Sequence, residues 1–159
     1  MEKEILLEML GVSRYNCEAA FREMDSENAD FRLVEKTATA GFLCRHIAET
    51  TNTLGQHLGF ETDVEDTTLG KEDTGQRYSP EESRRLLEQA YDKLEGLVKN
   101  NTGQFWMETV DASFFGAVTR MKLLSIILLH NAHHCGQAAS ALIKGRKFEI
   151  KEAGMLTAN

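Results

Sequence analysis

A long apolar run near the carboxyl end of the chain constrains the fold more than any other feature. Residues 115–144 read as one helix that ends at Gly145 after a basic last turn, and between Met121 and Leu129 the run is apolar nearly all round. A helix that lacks a polar face is buried by several neighbours. The pattern therefore predicts that this segment packs against other helices in a bundle.

Three further helices are predicted, over residues 3–24, 37–58 and 80–100. The third has the clearest start signal, with Ser79 as N-cap, Pro80 at the first helical position and Glu82 completing a capping box. At 159 residues the chain is long enough for one domain with a sizeable core. We expect an all-α protein, a four-helix bundle that spans residues 1–159.

Two connectors need an explanation in such a bundle. The first, 59–78, is rich in Gly, Thr and acidic residues and is long for a compact domain. It is accounted for if the second and third helices run parallel, since the link must then travel about 30 Å along the bundle. It is also a candidate lid. The second connector, 102–114, carries Phe105, Trp106 and Phe114, which we expect to plug one end of the bundle.

Histidines inside the long helix form the candidate site. His130 and His134 are four residues apart, so they are offset by only about 40° and lie roughly 6 Å apart along the axis. Such a pair can bind one metal ion, and neutral imidazole is a common ligand of zinc, nickel, copper and iron. His133 is the rival, because a pair three apart can also converge. Heptad spacing favours His134 by placing these residues on one inward line: Leu123, Ile127, His130, His134, Gln137 and Ala141.

A third ligand has to come from His46 or His57, both in the predicted second helix. They are eleven residues apart, about 16 Å along the axis, so only one can join the pair. His46 is preferred because it lies near the middle of its helix, although a hydrogen-bonded core histidine would fit that position equally well. Helical geometry turns Cys44 and Cys135 away from the histidines, so we expect no thiol ligand. One turn after His46 and His134, respectively, Glu49 and Gln137 are candidate hydrogen-bond partners for the imidazoles.

These residues resemble the DinB/YfiT-like family, which includes bacterial thiol S-transferases and mycothiol-dependent maleylpyruvate isomerase. The family motif L-x-H-x-x-H-H-x-G-Q is matched by residues 128–137, a second-helix H-I-x-x by residues 46–49, and an early Tyr-Asn by residues 15–16. The resemblance implies an up-down-down-up bundle whose metal ligands are His46, His130 and His134. This chain departs from the family in having Cys135 where an arginine is frequent, and its 59–78 segment matches nothing in the family.

A metal with three neutral protein ligands keeps positions open for water or substrate. It can acidify a bound water, which favours hydrolysis, or hold a thiolate, which favours thiol transfer. The resemblance points to a divalent transition metal, zinc or nickel, and to a low-molecular-weight thiol that attacks a small electrophile. A metal-dependent hydrolase and a non-catalytic metal-binding or interaction protein are the alternatives.

The overall charge limits the classes of partner. The net charge is −7 and no Lys/Arg cluster occurs, which argues against nucleic acid and leaves a small-molecule substrate as the expected partner.

The start of the chain has no signal-peptide pattern, and no stretch is apolar enough over a sufficient length to cross a membrane. We expect a cytoplasmic bacterial protein with three reduced cysteines. A homodimer through helix faces is compatible with a bundle, but the sequence marks no patch for it.

Overall fold

The structure is a computed structural model, and it describes residues 2–112 and 114–148. This part of the chain is mostly helical, with five helices and one two-stranded antiparallel hairpin. In chain order the elements are α1 (Glu2–Arg22), α2 (Ala40–Leu58), α3 (Pro80–Asn100), α4 (Gly103–Met107), β1 (Thr109–Ala112), β2 (Gly116–Thr119) and α5 (Arg120–Lys144). The four long helices are those that the apolar periodicity predicts, with shifted ends.

Capping side chains set where three helices begin: Thr39 for α2, Ser79 for α3 and Thr119 for α5. Ser79 Oγ accepts a hydrogen bond from the Glu82 backbone N–H at 3.1 Å, so the predicted start of α3 is confirmed. The capping box is only half formed, because the Glu82 carboxylate binds Arg85 instead of reaching back. Thr39 caps α2 by accepting from the Phe42 N–H, and α2 therefore starts three residues after the predicted Thr37.

The predicted start of the last helix at Phe115 is wrong. Residues 116–119 are strand β2, which pairs with β1 in the register Thr109 to Thr119, and α5 begins only at Arg120. The hairpin is turned at Gly116, whose φ of 64° favours glycine. The apolar residues of this strand continue the hydrophobicity of the helix, which hides the boundary in the sequence.

The aromatic residues of the second connector have divided roles. Trp106, on the short helix α4, is 1% exposed and closes the end of the core near the start of α5, as expected of a plug. Phe114 is 66% exposed, so the expectation that it also plugs the bundle is wrong.

The core lies between the four long helices. Helix α2 packs on α3 and α5, and α1 packs on the same two helices. The buried side of α5 differs from the predicted inward line, because His130 and His134 are half-buried and Gln137 is exposed. The residues of α5 that are buried are Leu123, Leu124, Ile127, Asn131, Cys135, Ala138 and Ala141. The two histidines therefore lie at the edge of the buried face of this helix, where a cavity can reach them.

Contacts at the helix ends tie the bundle together. Lys3 at the start of α1 donates to the carbonyl of Lys99 at the end of α3, and Arg84 at the start of α3 donates to the carbonyl of Phe21. Arg120 Nε at the start of α5 donates to the carbonyl of Leu58 at the end of α2. Helix boundaries that are far apart in sequence are thereby held in register.

Gly145 ends α5, as the sequence predicts. Its backbone N–H donates to the carbonyl of Ala141, and the neighbouring Arg146 pairs with Arg32 in the segment that leads to α2. A Cβ at this position would lie 2.2 Å from the Ala141 oxygen, so glycine is required for steric reasons.

The first connector follows Gly59, whose φ of 117° ends α2 in the left-handed conformation. No helix or strand is present in its residues 60–79, all of which the structure describes. It folds back on α2, where Thr67 and Thr68 donate hydrogen bonds to the Glu49 carboxylate. This anchoring brings the connector to the candidate site.

All three cysteines are free and buried, and two of them touch. Cys135 Sγ–H donates to Cys17 Sγ at 3.4 Å, a contact between α5 and α1 that spacing in the sequence does not reveal. This hydrogen bond and burial raise the pKa of the Cys135 thiol, and burial raises that of Cys44. Cys44 and Cys135 therefore pack as small apolar groups in the core, whereas the hydrogen bond from Cys135 lowers the pKa of Cys17.

None of the helices that the structure describes has the length and hydrophobicity needed to span a membrane.

Candidate metal centre

Three of the five histidines converge between α2 and α5. His46 comes from the middle of α2, and His130 and His134 come from successive turns of α5. Their ring centroids lie 4.5 to 4.9 Å apart, and one nitrogen of each lies within 4.8 Å of the other two. His57 and His133 lie outside this cluster, and His133 is exposed, with its ring centroid 4.9 Å from that of His134. The predicted trio is therefore brought together, in an arrangement that could hold a metal ion.

The protonation of His46 follows from its neighbours. The Thr68 hydroxyl donates to Glu49 Oε2 at 2.8 Å, so its oxygen faces His46 Nδ1 at 3.3 Å with lone pairs only. An unprotonated Nδ1 would oppose those lone pairs, so Nδ1 carries the proton and Nε2 is bare. The Thr50 hydroxyl, 3.4 Å from the same nitrogen, can accept as well.

The protonation of His130 is set by a buried amide. The Thr51 hydroxyl donates to the Ile47 carbonyl at 2.7 Å, and it therefore accepts from Asn131 Nδ2 at 3.0 Å. In the orientation that the structure gives the amide, Asn131 Nδ2 also donates to the Tyr91 hydroxyl at 3.2 Å, and Thr51 Oγ1 lies closer to Nδ2 than to Oδ1, at 3.0 against 3.2 Å. Asn131 Oδ1 then lies 3.3 Å from His130 Nδ1 as an acceptor. His130 too is protonated at Nδ1 and bare at Nε2.

The third imidazole follows the same pattern, with His134 Nδ1 lying 2.7 Å from Gln137 Oε1. The bare Nε2 atoms of His46 and His130 face each other at 3.0 Å. Two lone pairs at this distance repel unless a cation lies between them. A zinc ion bound at about 2.0–2.1 Å in tetrahedral geometry would hold its nitrogen ligands roughly 3.3 Å apart, so the residues present fit a metal of this kind.

The imidazoles are neutral near pH 7. Burial lowers the pKa of His46 to about 4, and the nearby His130 and His134 lower it further than burial alone would. Burial likewise lowers the pKa of His130 to about 4, against a smaller opposing effect of the hydrogen bond to Asn131. Burial also lowers the pKa of His134. Neutral imidazole is the form that binds metals, so the site is preorganised for ligation.

Glu49 connects α2 to the connector rather than to a histidine. Its side chain is fully buried, and it accepts from Arg45 Nε at 2.5 Å and from the Thr67 backbone N–H at 2.8 Å. Glu49, a candidate acceptor for an imidazole N–H, makes no direct bond to one, since Thr68 lies between Glu49 and His46. Gln137, the other candidate, does contact His134.

A cavity of about 440 Å³ opens beside His46 and His134, which is within the usual range for small-molecule sites. Helix α2, the end of α5, the segment before α2 and the first connector all contribute to its walls. The lining residues are Leu33, Thr37, Ala38, Phe42, Leu43, His46, Thr68, Gly70, Lys71, His134, Gln137 and Ala141. No carboxylate is among these described residues, and Lys71 supplies the one lysine or arginine side chain.

Asn131 and Thr68 are the residues that sequence reasoning missed. Asn131 is polar, yet it sits on the buried side of an apolar helix next to a histidine, and this was a usable signal because a buried amide needs partners. Thr68 carried no such signal, because its place beside His46 depends on how an irregular connector folds.

The fold and the cluster define a mostly helical protein with a candidate three-histidine metal centre. A family model described as DinB superfamily matches residues 9–138, which is most of the chain, and the protein therefore belongs to that superfamily. The match contains all three histidines. No curated protein matches the chain.

Proposed function

We propose that this protein is a divalent-metal-dependent enzyme that transfers a low-molecular-weight thiol to small electrophiles, with His46, His130 and His134 as the metal ligands. The observation that carries the proposal is the 3.0 Å separation of the Nε2 atoms of His46 and His130, while each Nδ1 lies 3.3 Å from a hydrogen-bond partner of its own. Zinc and nickel suit such nitrogen ligands.

The choice of reaction depends on what surrounds the cluster. A cation held there by three neutral imidazoles would lower the pKa of a thiol bound beside it. The described residues that line the cavity include no carboxylate that could act as a general base on water, which favours thiol transfer over hydrolysis. The chain's own residues hold the imidazoles in one tautomer and provide a largely apolar space for the electrophile.

Metal content tests the ligand assignment. Elemental analysis of protein purified without an affinity tag should find about one divalent metal per chain. Alanine at His46, His130 or His134 should remove most of it, whereas His57→Ala and His133→Ala, the matched controls, should retain it. Full metal occupancy in the His46→Ala variant would show that α2 provides no metal ligand.

Activity tests the reaction. Metal-loaded protein is incubated with bacillithiol, mycothiol, glutathione or coenzyme A and with 1-chloro-2,4-dinitrobenzene, and conjugate formation is compared with a metal-free control. We expect conjugation to exceed that control with at least one thiol. Cleavage of esters or amides without any thiol would establish the hydrolase instead. Tight metal binding with neither activity would leave a non-catalytic metal-binding role.

We also propose that the four long helices form an up-down-down-up bundle. The start of α1 meets the end of α3, which supports an antiparallel pair, and the start of α5 meets the end of α2, which supports another. Cys17 on α1 meets Cys135 on α5, each past the middle of its helix, in keeping with a parallel pair. On this arrangement α2 and α3 are parallel, and the first connector is the crossover between them.

A further inference from the structure

The cavity beside the cluster has a distinct charge and polarity. Its apolar wall is formed by Phe42 and Leu43, which are nearly buried, and by Leu33, which is 41% exposed at the rim. Phe42 stacks on His46, with ring centroids 6.1 Å apart, so the apolar wall extends to the candidate ligands. A ligand here would place an apolar body against this wall.

Lys71 is the only lysine or arginine among the described residues of the lining, and it lies on the first connector. Its ammonium donates to the backbone carbonyl of Asp66 at 3.4 Å and has no carboxylate in a salt bridge within the described residues. Two carboxylates of the same connector have other partners: Asp66 accepts from the backbone N–H groups of Thr68 and Leu69, and Asp73 binds Arg32. Lys71 is therefore the one formally charged side chain among the described residues of the lining when the histidines are neutral, and it is a cation.

We propose that this cavity binds an amphipathic carboxylate, with its aryl or branched aliphatic body on Phe42, Leu43 and Leu33 and its carboxylate near Lys71. That this carboxylate is the electrophilic substrate rests on the proposed function. That the cavity binds it does not. An apolar wall with a single unpaired cation selects ligands that combine both properties, because each neutral or purely polar analogue forfeits one of the two interactions.

The test measures binding of 4-phenylbutyrate and of its neutral analogue 4-phenylbutanamide by calorimetry, on metal-free protein so that neither probe can ligate a metal. We expect the carboxylate to bind more tightly than the amide. Lys71→Met should weaken the carboxylate by about two- to fivefold at low ionic strength, as for a partly exposed ion pair, and leave the amide unchanged. The preference should disappear in about 1 M salt.

Lys93→Met is the matched charge control, because Lys93 also donates to a backbone carbonyl, that of Glu61, but lies away from this cavity. It should change neither affinity. Leu33→Ala should weaken both probes by the same factor, on the order of threefold. Val34→Ala, at an exposed neighbour that does not line the cavity, should weaken neither.

Equal binding of the two probes by the unchanged protein, or equal effects of Lys71→Met and Lys93→Met, would overturn the proposal. So would the absence of binding, or equal effects of Leu33→Ala and Val34→Ala, since the probes would then lie elsewhere. Failure of the thiol-transfer assay leaves these binding results intact, and failure of the binding assay leaves the metal and transfer results intact.

Discussion

Replacing Asn131 with leucine tests whether a buried amide controls metal binding. Asn131 is fully buried, and its Oδ1 is the acceptor that keeps His130 protonated at Nδ1. Leucine has a similar volume but offers no acceptor. The His130 ring is then free to rotate or to change tautomer, and either change removes Nε2 from the cluster.

The magnitude follows from the role of hydrogen bonds behind metal ligands. Losing one typically reduces metal affinity about 10- to 100-fold, which is about 1.4 to 2.7 kcal/mol. The same substitution should lower the free energy of unfolding by about 1–2 kcal/mol. The cost stays modest because Thr51 still donates to the Ile47 carbonyl, and the Tyr91 hydroxyl still meets Ser13 Oγ at 2.7 Å.

Asn52→Leu is the matched control. Asn52 is equally buried, and its amide donates to the carbonyls of Ala48 and Leu86, but it contacts none of the three histidines. Metal affinity is measured by competition with a chelator, and stability by urea unfolding of metal-free protein. We expect both variants to lose similar stability and only Asn131→Leu to lose metal affinity.

Two results would refute this reasoning. If Asn131→Leu bound metal as tightly as the unchanged protein, the amide would not control the tautomer of His130. If Asn52→Leu lost as much affinity, loosening of the core would explain both variants.

Three further outcomes are expected. Urea unfolding of metal-free protein should show stability falling as pH drops from about 6.5 towards 4, by roughly 2 kcal/mol for each of the two histidines between pH 7 and pH 5. The sign follows because unfolded imidazoles take up protons in this range, whereas His46 and His130, with pKa values of about 4, do not; a flat profile would contradict it. Joint replacement of Cys17 and Cys135 by alanine should leave metal content at about one per chain by elemental analysis, and a loss would make a thiol part of the site. Thr68→Val should weaken metal binding up to about tenfold in chelator competition, and an unchanged affinity would show that the Thr68 hydroxyl does not orient His46.

The helices were predictable where polar side chains mark their ends. Ser79 and Pro80 placed the start of α3 correctly because a cap is a local hydrogen bond that depends on a few consecutive residues. The start of α5 was missed although Thr119 caps it, since strand β2 is as apolar as the helix that follows and its pairing with β1 is a tertiary contact. Periodicity alone cannot separate a short apolar strand from an extra helical turn.

The histidine trio was predictable, although part of the argument for it was wrong. The spacing of four between His130 and His134 was sufficient to bring them together, but they do not lie on the buried line of α5. Asn131 lies on the buried face of α5 instead, and the histidines lie at the edge of that face, next to the cavity. A histidine at the centre of the core would have been shielded from any substrate.

The hydrogen-bond acceptors behind the three imidazoles would leave the charge of a bound cation largely intact. They are the hydroxyl of Thr68 and the amides of Asn131 and Gln137, all of them neutral. A carboxylate in direct contact with an imidazole would offset part of the charge of a bound cation. Glu49 is separated from His46 by the Thr68 hydroxyl and is paired with Arg45, so its effect on the pKa of His46 is smaller than those of burial and of the other two histidines. A metal held there would keep most of its ability to stabilise a thiolate, and Lys71 at the cavity adds to the same positive potential.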